Sequence, residues 1–188
     1  MKKVYISSTY KDLIEYRKAA YEALRKIRYN VVCMEDYVAR DDRALAACEA
    51  DVAACDIYVG IFAWRYGHIP NDDDNKALRS ITELEYRKAS GKKTCLVFLL
   101  SDEAPWPSTL RDAETDEEDR GERIRKLRAE LKERCAGYFS TPAELATEVM
   151  AAVYQHESTR RVQRLDVLDE VKESIELGPS YLPIFRRR

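Results

Sequence analysis

Ile57-Tyr58-Val59-Gly60-Ile61-Phe62 is a strand-length run with no charged position and no polar/apolar alternation. A strand with one wet face alternates. A continuous β-branched and aromatic run belongs to a strand covered on both faces, the usual situation inside a parallel α/β sheet. Val4-Tyr5-Ile6-Ser7, Val31-Val32-Cys33-Met34 and Thr94–Leu100 repeat the pattern, and Tyr138-Phe139 can add a short edge strand.

Helical spacing fills the intervals. From about Lys11 to Ile27, Leu13, Tyr16, Ala20, Ala23, Leu24 and Ile27 share a face, with Thr9 as the expected cap and Asp12 at the third position. An Ala-rich helix is expected from Asp41 to Ala54, and another from Glu122 to Arg134 around Ile124, Leu127 and Leu131. Thr141-Pro142-Ala143-Glu144 is a capping box that opens a helix running to about His156, with Leu145, Val149 and Val153 for packing. Five alternations of strand and helix predict a parallel sheet of about five strands with helices on both faces and a flavodoxin-like strand order. The α/β domain is placed at residues 1–156. In residues 157–188, Val162, Leu165, Leu168, Val171 and Ile175 recur every three or four positions. They mark a C-terminal helix that either packs back on the domain or serves as a connector or oligomerisation helix, followed by a tail.

Composition narrows the classes. Charged residues make up 35% of the 188 residues with a net charge of −2, so there is no basic footprint for nucleic acid. The Arg186-Arg187-Arg188 ending reads as a solvated tail. No apolar run is long enough for a membrane span, and the opening MKKVYISS leads straight into a strand; a cytoplasmic protein is expected. Five scattered cysteines (Cys33, Cys48, Cys55, Cys95, Cys135) without a CxxC read as reduced core thiols, and His68 and His156 lack partners at metal-ligand spacing. Neither a metal nor a resident cofactor is expected.

The informative stretch is the short helix after the central strand. Ser80 is a good N-cap and Glu83 completes a capping box. On a helical wheel with Ile81 at zero, Leu84 falls at about 300°, Ala89 at about 80° and Glu85 at about 40°, whereas Glu83 at about 200° is expected to face water. Glu85 therefore lies in the apolar arc, where a carboxylate needs a partner or a cleft. Lys88, one turn on, is the local candidate for a partner. In doubly wound sheets ligands bind beyond the carboxyl ends of the strands. The rim there is expected to gather Ser7, Ser8, Thr9, Asp36, Trp64, Arg65 and Tyr66 with the Glu85 helix. Residues 101–120, acidic and proline-containing, read as a surface loop or lid.

Several chemistries lack their motifs: there is no GxxxxGK[ST], no GxGxxG after the first strand and no GxSxG. An inward carboxylate beside hydroxyls, an arginine and aromatic rings suits cleavage of a glycosidic bond at a ribose. The aromatics would stack on a base, Arg65 would hold phosphate or pair with Asp72 to Asp74, and the carboxylate would stabilise charge developing at the sugar carbon.

VYISSTYKDLIEYRKAAYEAL, CDIYVGIFAWRYGHIP and SITELEYRKA with KKTCLVFLL together resemble the TIR-like domain of unknown function numbered 4062, closely over about residues 3–100. More distantly they resemble TIR domains and nucleoside deoxyribosyltransferases. The resemblance implies a TIR-like fold, with Glu85 as the catalytic residue and Thr82, from the pattern Thr82, Glu85, Ala89, beside it. It further implies a nucleotide-type small molecule, NAD among them, as substrate, self-association, and additional domains in a longer parent protein. The expected activity is N-glycosidic cleavage of NAD or a nucleotide, or signalling, in bacterial anti-phage immunity. A non-catalytic self-association or adaptor module and a deoxyribosyl-transfer enzyme are the alternatives.

Overall fold

The computed structural model describes the backbone of residues 1–33, 44–71, 75–112, 119–134 and 136–176, with side chains except at 44–47 and 167–176. Five strands, β1 (Lys3–Ser8), β2 (Asn30–Val32), β3 (Ile57–Phe62), β4 (Thr94–Leu100) and β5 (Gly137–Phe139), form one sheet in the order β2-β1-β3-β4-β5. Every neighbouring pair is parallel. This is the flavodoxin-like order, and the chain reverses direction of travel between β1 and β3, where such sheets open a crevice. All six residues of β3 are buried, as its unbroken apolar run requires.

The helices are α1 (Ile14–Lys26), α2 (Ala44–Ala54), α3 (Ile81–Ala89), α4 (Arg120–Lys132) and α5 (Pro142–Glu176). Val52 of α2, Tyr86 and Ala89 of α3, and Ile124, Leu127 and Leu131 of α4 form a single core with Tyr5, Tyr58, Phe62, Val97 and Leu99 of the sheet. On the strands' other face Val4, Ile6, Val59 and Ile61 are equally buried, and α1 reaches β5 through Tyr16 against Phe139. Gly60 makes this packing possible: a Cβ there would lie 2.8 Å from the Phe62 ring and 2.9 Å from the Tyr58 ring.

The start of α1 and the end of α5 depart from the sequence reading. α1 starts at Ile14 rather than Lys11, because residues 10–13 first make a turn closed by Leu13 N–H on the Tyr10 carbonyl. Thr9 consequently does not cap it, and the N-cap position, Leu13, offers no side-chain hydrogen bond. At the other end, α5 runs unbroken to Glu176, past the helix end expected near His156. The Thr141 box opens it as expected: Glu144 N–H donates to Thr141 Oγ1 and the Glu144 carboxylate accepts from Ser140 N–H. The chain falls into two compact units, Met1–Ala151 and a second beginning at Ala152. In the second, Val162 and Leu165 are exposed, and the side chains of Leu168, Val171 and Ile175 lie outside the described residues.

Candidate functional site

The carboxyl ends of β1 and β3 open into a cleft of about 410 Å³. β1 supplies Ser7 and Ser8, the turn after it Thr9 and Asp12, and α1 supplies Arg17. The segment after β3 supplies Arg65, Gly67 and His68, α3 supplies Thr82 and Glu85, and Asp112 and Arg120 close the far side. Register places Ser7 on the same face of β1 as Tyr5, opposite Gly60 of β3, and both hydroxyls reach Glu85 of α3.

Glu85 is only 5% exposed. Its Oε1 accepts from the Tyr5 hydroxyl at 2.7 Å and its Oε2 from the Ser7 hydroxyl at 2.5 Å. Lys88, the alternative partner, instead pairs with Glu49 at 3.0 Å. Burial raises the Glu85 pKa above the ordinary carboxylate range, against the opposing hydrogen bonds of Ser7, Tyr5 and Cys48 and the Arg17 charge. The pull of a negative Glu85, after burial itself, pushes the Tyr5 phenol far up, so Tyr5 stays a donor. Arg17 is buried and donates to Ser8 Oγ at 2.8 Å, while Ser8 donates to the Thr9 carbonyl at 2.8 Å. A buried guanidinium thus fixes the end of β1.

Ser7, Ser8, Thr9, Arg65, Thr82 and Glu85 are brought together. Arg65 pairs through Nε with Asp112 at 3.6 Å, and Asp112 also accepts from Tyr66 N–H at 2.6 Å. The expected Arg65 partners Asp72 to Asp74, like the expected rim residue Asp36, lie outside the described residues. Trp64 and Tyr66 are placed elsewhere. The Arg128 guanidinium lies 3.9 Å from the Trp64 ring centroid and that of Arg111 at 5.3 Å. Arg128 is itself anchored on the carbonyls of Phe62, Ala63 and Leu100 at the strand ends. The buried Tyr66 ring directs its hydroxyl to Glu83. Neither ring lines the cleft as a base platform.

Glu83 corrects another expectation. It is 7% exposed rather than facing water, because Tyr66, Arg79 and Arg87 close over it. It accepts from Tyr66 and from Arg87 at 3.1 Å, pairs with Arg79 at 3.4 Å, and Arg87 continues to Glu130 of α4. The capping box is therefore half made: Ser80 Oγ accepts from Glu83 N–H at 3.3 Å, while the Glu83 carboxylate is engaged elsewhere.

Asp12, Arg17, Asp112 and Arg120 are cleft residues that pattern reading did not select. Arg17 carried a usable signal: it stands four residues after Leu13 and three before Ala20, inside the apolar stripe of α1. Among the described residues no group of three or more His, Cys, Asp or Glu side chains is placed to hold a metal, and no helix is long and apolar enough to cross a membrane.

The strand order and the crevice between β1 and β3 define a flavodoxin-like α/β domain with a TIR-like fold. Solved structures bear out the fold. The TIR domains of the activated Roq1 resistosome directly recognizing the pathogen effector XopQ superpose with a TM-score of 0.53 at 9% identity, covering 81% of this chain and 99% of theirs. The chain belongs to the DUF4062 family (domain of unknown function 4062), whose profile matches residues 3–154. No match was found among curated protein sequences.

Proposed function

We propose that this domain cleaves the N-glycosidic bond of a nucleotide, NAD being the first candidate, with Glu85 as the catalytic residue. The observation that supports this reading is a carboxylate buried in a cleft at the sheet's carboxyl edge and held by two hydroxyl donors rather than by a cation. In NAD the bond from the ribose C1′ to the pyridinium nitrogen breaks, and its electron pair leaves with neutral nicotinamide. The resulting positive charge on the sugar is stabilised by the Glu85 carboxylate in a site of low dielectric, and water then adds to C1′ with release of a proton. Arg65 and Arg120, which also line the cleft, suit the phosphates. A cytoplasmic role in anti-phage immunity, in which loss of NAD or its product acts as the signal, fits this chemistry. Incubation with NAD is expected to release nicotinamide, and Glu85→Gln to lower that release about a hundredfold or more. Equal release by both proteins overturns the mechanism.

A second reading, a self-association or adaptor module, is favoured by α5. Tyr154, Val162 and Leu165 on it are 75%, 57% and 53% exposed, an apolar content suited to a partner helix or a connector to further domains. Light scattering is expected to show a larger species for the full chain than for one ending at Glu157. Two monomers would remove this reading.

A further inference from the structure

A nucleotide in the cleft needs a surface for its base, and the rings of Trp64 and Tyr66 are engaged elsewhere. Two tyrosines line the cleft itself. Tyr5 is 1% exposed, and its hydroxyl is committed to Glu85. Tyr10 is 45% exposed, and among the described residues its side chain makes no hydrogen bond or ring contact. A single bare ring on an open surface needs no explanation. This one lines a cleft, on a backbone held from both sides. Upstream, Arg17 donates to Ser8 Oγ, Ser8 donates to the Thr9 carbonyl, and Thr9 lies against Gly67, where a Cβ would come within 3.0 Å of Thr9 Cγ2. Downstream, Leu13 N–H donates to the Tyr10 carbonyl at 3.3 Å, and the Leu13 side chain is fully buried. The ring therefore stands on a fixed turn, so little backbone ordering remains to be done when a ligand meets it.

Reach selects which base it meets. Tyr10 follows Ser7, the partner of Glu85, by three residues, so their Cα atoms lie at most about 11 Å apart. With a ribose C1′ at the Glu85 carboxylate, the base on that carbon begins one bond away. The second base of a dinucleotide is separated from it by two riboses and a diphosphate. Ile81 of α3, partly exposed, adds aliphatic surface to the same cleft.

We infer that Tyr10 is the stacking platform for the base at the scissile bond. This rests on the nucleotide reading above and deepens it. Stacking is tolerant of base identity because every base has a π-face. In NAD the base is a pyridinium, and its positive charge is further attracted to the electron-rich face of the phenol.

Calorimetric titration of Glu85→Gln protein, which removes turnover, tests the platform with NAD, nicotinamide mononucleotide and ADP-ribose, the last lacking the nicotinamide base. Adding Tyr10→Ala is expected to weaken NAD and the mononucleotide about tenfold, the loss of one stacked base, and ADP-ribose less than about twofold. Tyr10→Phe keeps the ring and is expected to hold all three within about twofold of the parent. An equal loss for ADP-ribose would place adenine on the ring and overturn the assignment to the scissile base. Unchanged affinities in Tyr10→Ala overturn the platform while leaving the nucleotide reading intact. Failure of all three ligands to bind the parent protein overturns both.

Discussion

Glu83 and Glu85 stand two residues apart on α3, are almost equally buried, and are held in opposite ways. Glu83 is met by Arg79 and Arg87 and by the Tyr66 hydroxyl, within a network that continues to Glu130 on α4. Its charge is balanced on the spot, and the cluster ties two helices together. Glu85 is held by the Tyr5 and Ser7 hydroxyls with the Cys48 thiol beside them, and Arg17, whose charge reaches it, donates to Ser8. An enclosed carboxylate cancelled by cations is a structural device. One that lines a cleft and is held by hydroxyls rather than by an ion pair remains able to meet a positive centre.

The sharpest way to break this contrast is to neutralise each acid in turn without changing its shape. Glu83→Gln is expected to lower unfolding free energy by about 2 kcal/mol, because it leaves Arg87 and Tyr66 facing an amide. The figure stays below that for a fully buried pair because Arg79 and Arg87 keep part of their hydration. Glu85→Gln is expected to change stability by less than about 1 kcal/mol, since the amide oxygen still accepts from a hydroxyl and an ionised group has left the interior. Urea unfolding of both variants checks this. Equal losses would make Glu85 a structural residue like its neighbour.

The wheel that selected Glu85 and misplaced Glu83 shows what sequence can carry. β3 and β4 were legible to the residue, because uninterrupted apolar runs bounded by charge have one reading. The inward turn of Glu85 was legible because helical period fixes direction relative to Ile81 and Ala89. The same wheel sends Glu83 to solvent, since a single helix carries no record that the Tyr66 ring will fold back onto it. Arg128 repeats the lesson. Its claim on Trp64 depends on the carbonyls of Phe62, Ala63 and Leu100, contacts that span up to 66 residues, and no local pattern announces them. By spacing from Thr9 alone, Asp12 matches a helix-start residue. The turn at Tyr10 to Leu13 withdraws it from that task and leaves it in the cleft.

A smaller effect, visible as pH is varied, sharpens the contrast further. Burial raises the Glu85 pKa, so in the acid range the folded state holds a proton that the unfolded chain has released. Stability from this group is therefore greatest below its unfolded value, near pH 4.3, and declines as pH rises through the raised folded value. Glu130 runs the other way. The hydrogen bonds and charge of Arg87 hold its pKa below the ordinary range, so it stabilises the fold once ionised, and that contribution disappears as pH falls through its lowered value. Wild type compared with Glu85→Gln is thus expected to lose relative stability from about pH 4 upward and then level off. Wild type compared with Glu130→Gln is expected to gain over the range where Glu130 ionises. Both differences are read from melting temperatures across pH 3 to 8. The Glu130 difference shrinks in high salt because Arg87 and Glu130 are each about one-third exposed, whereas the enclosed Glu85 difference should persist. A Glu85 profile that rises with pH would mean that a cation neutralises it after all, and the distinction between the two faces of α3 would be lost.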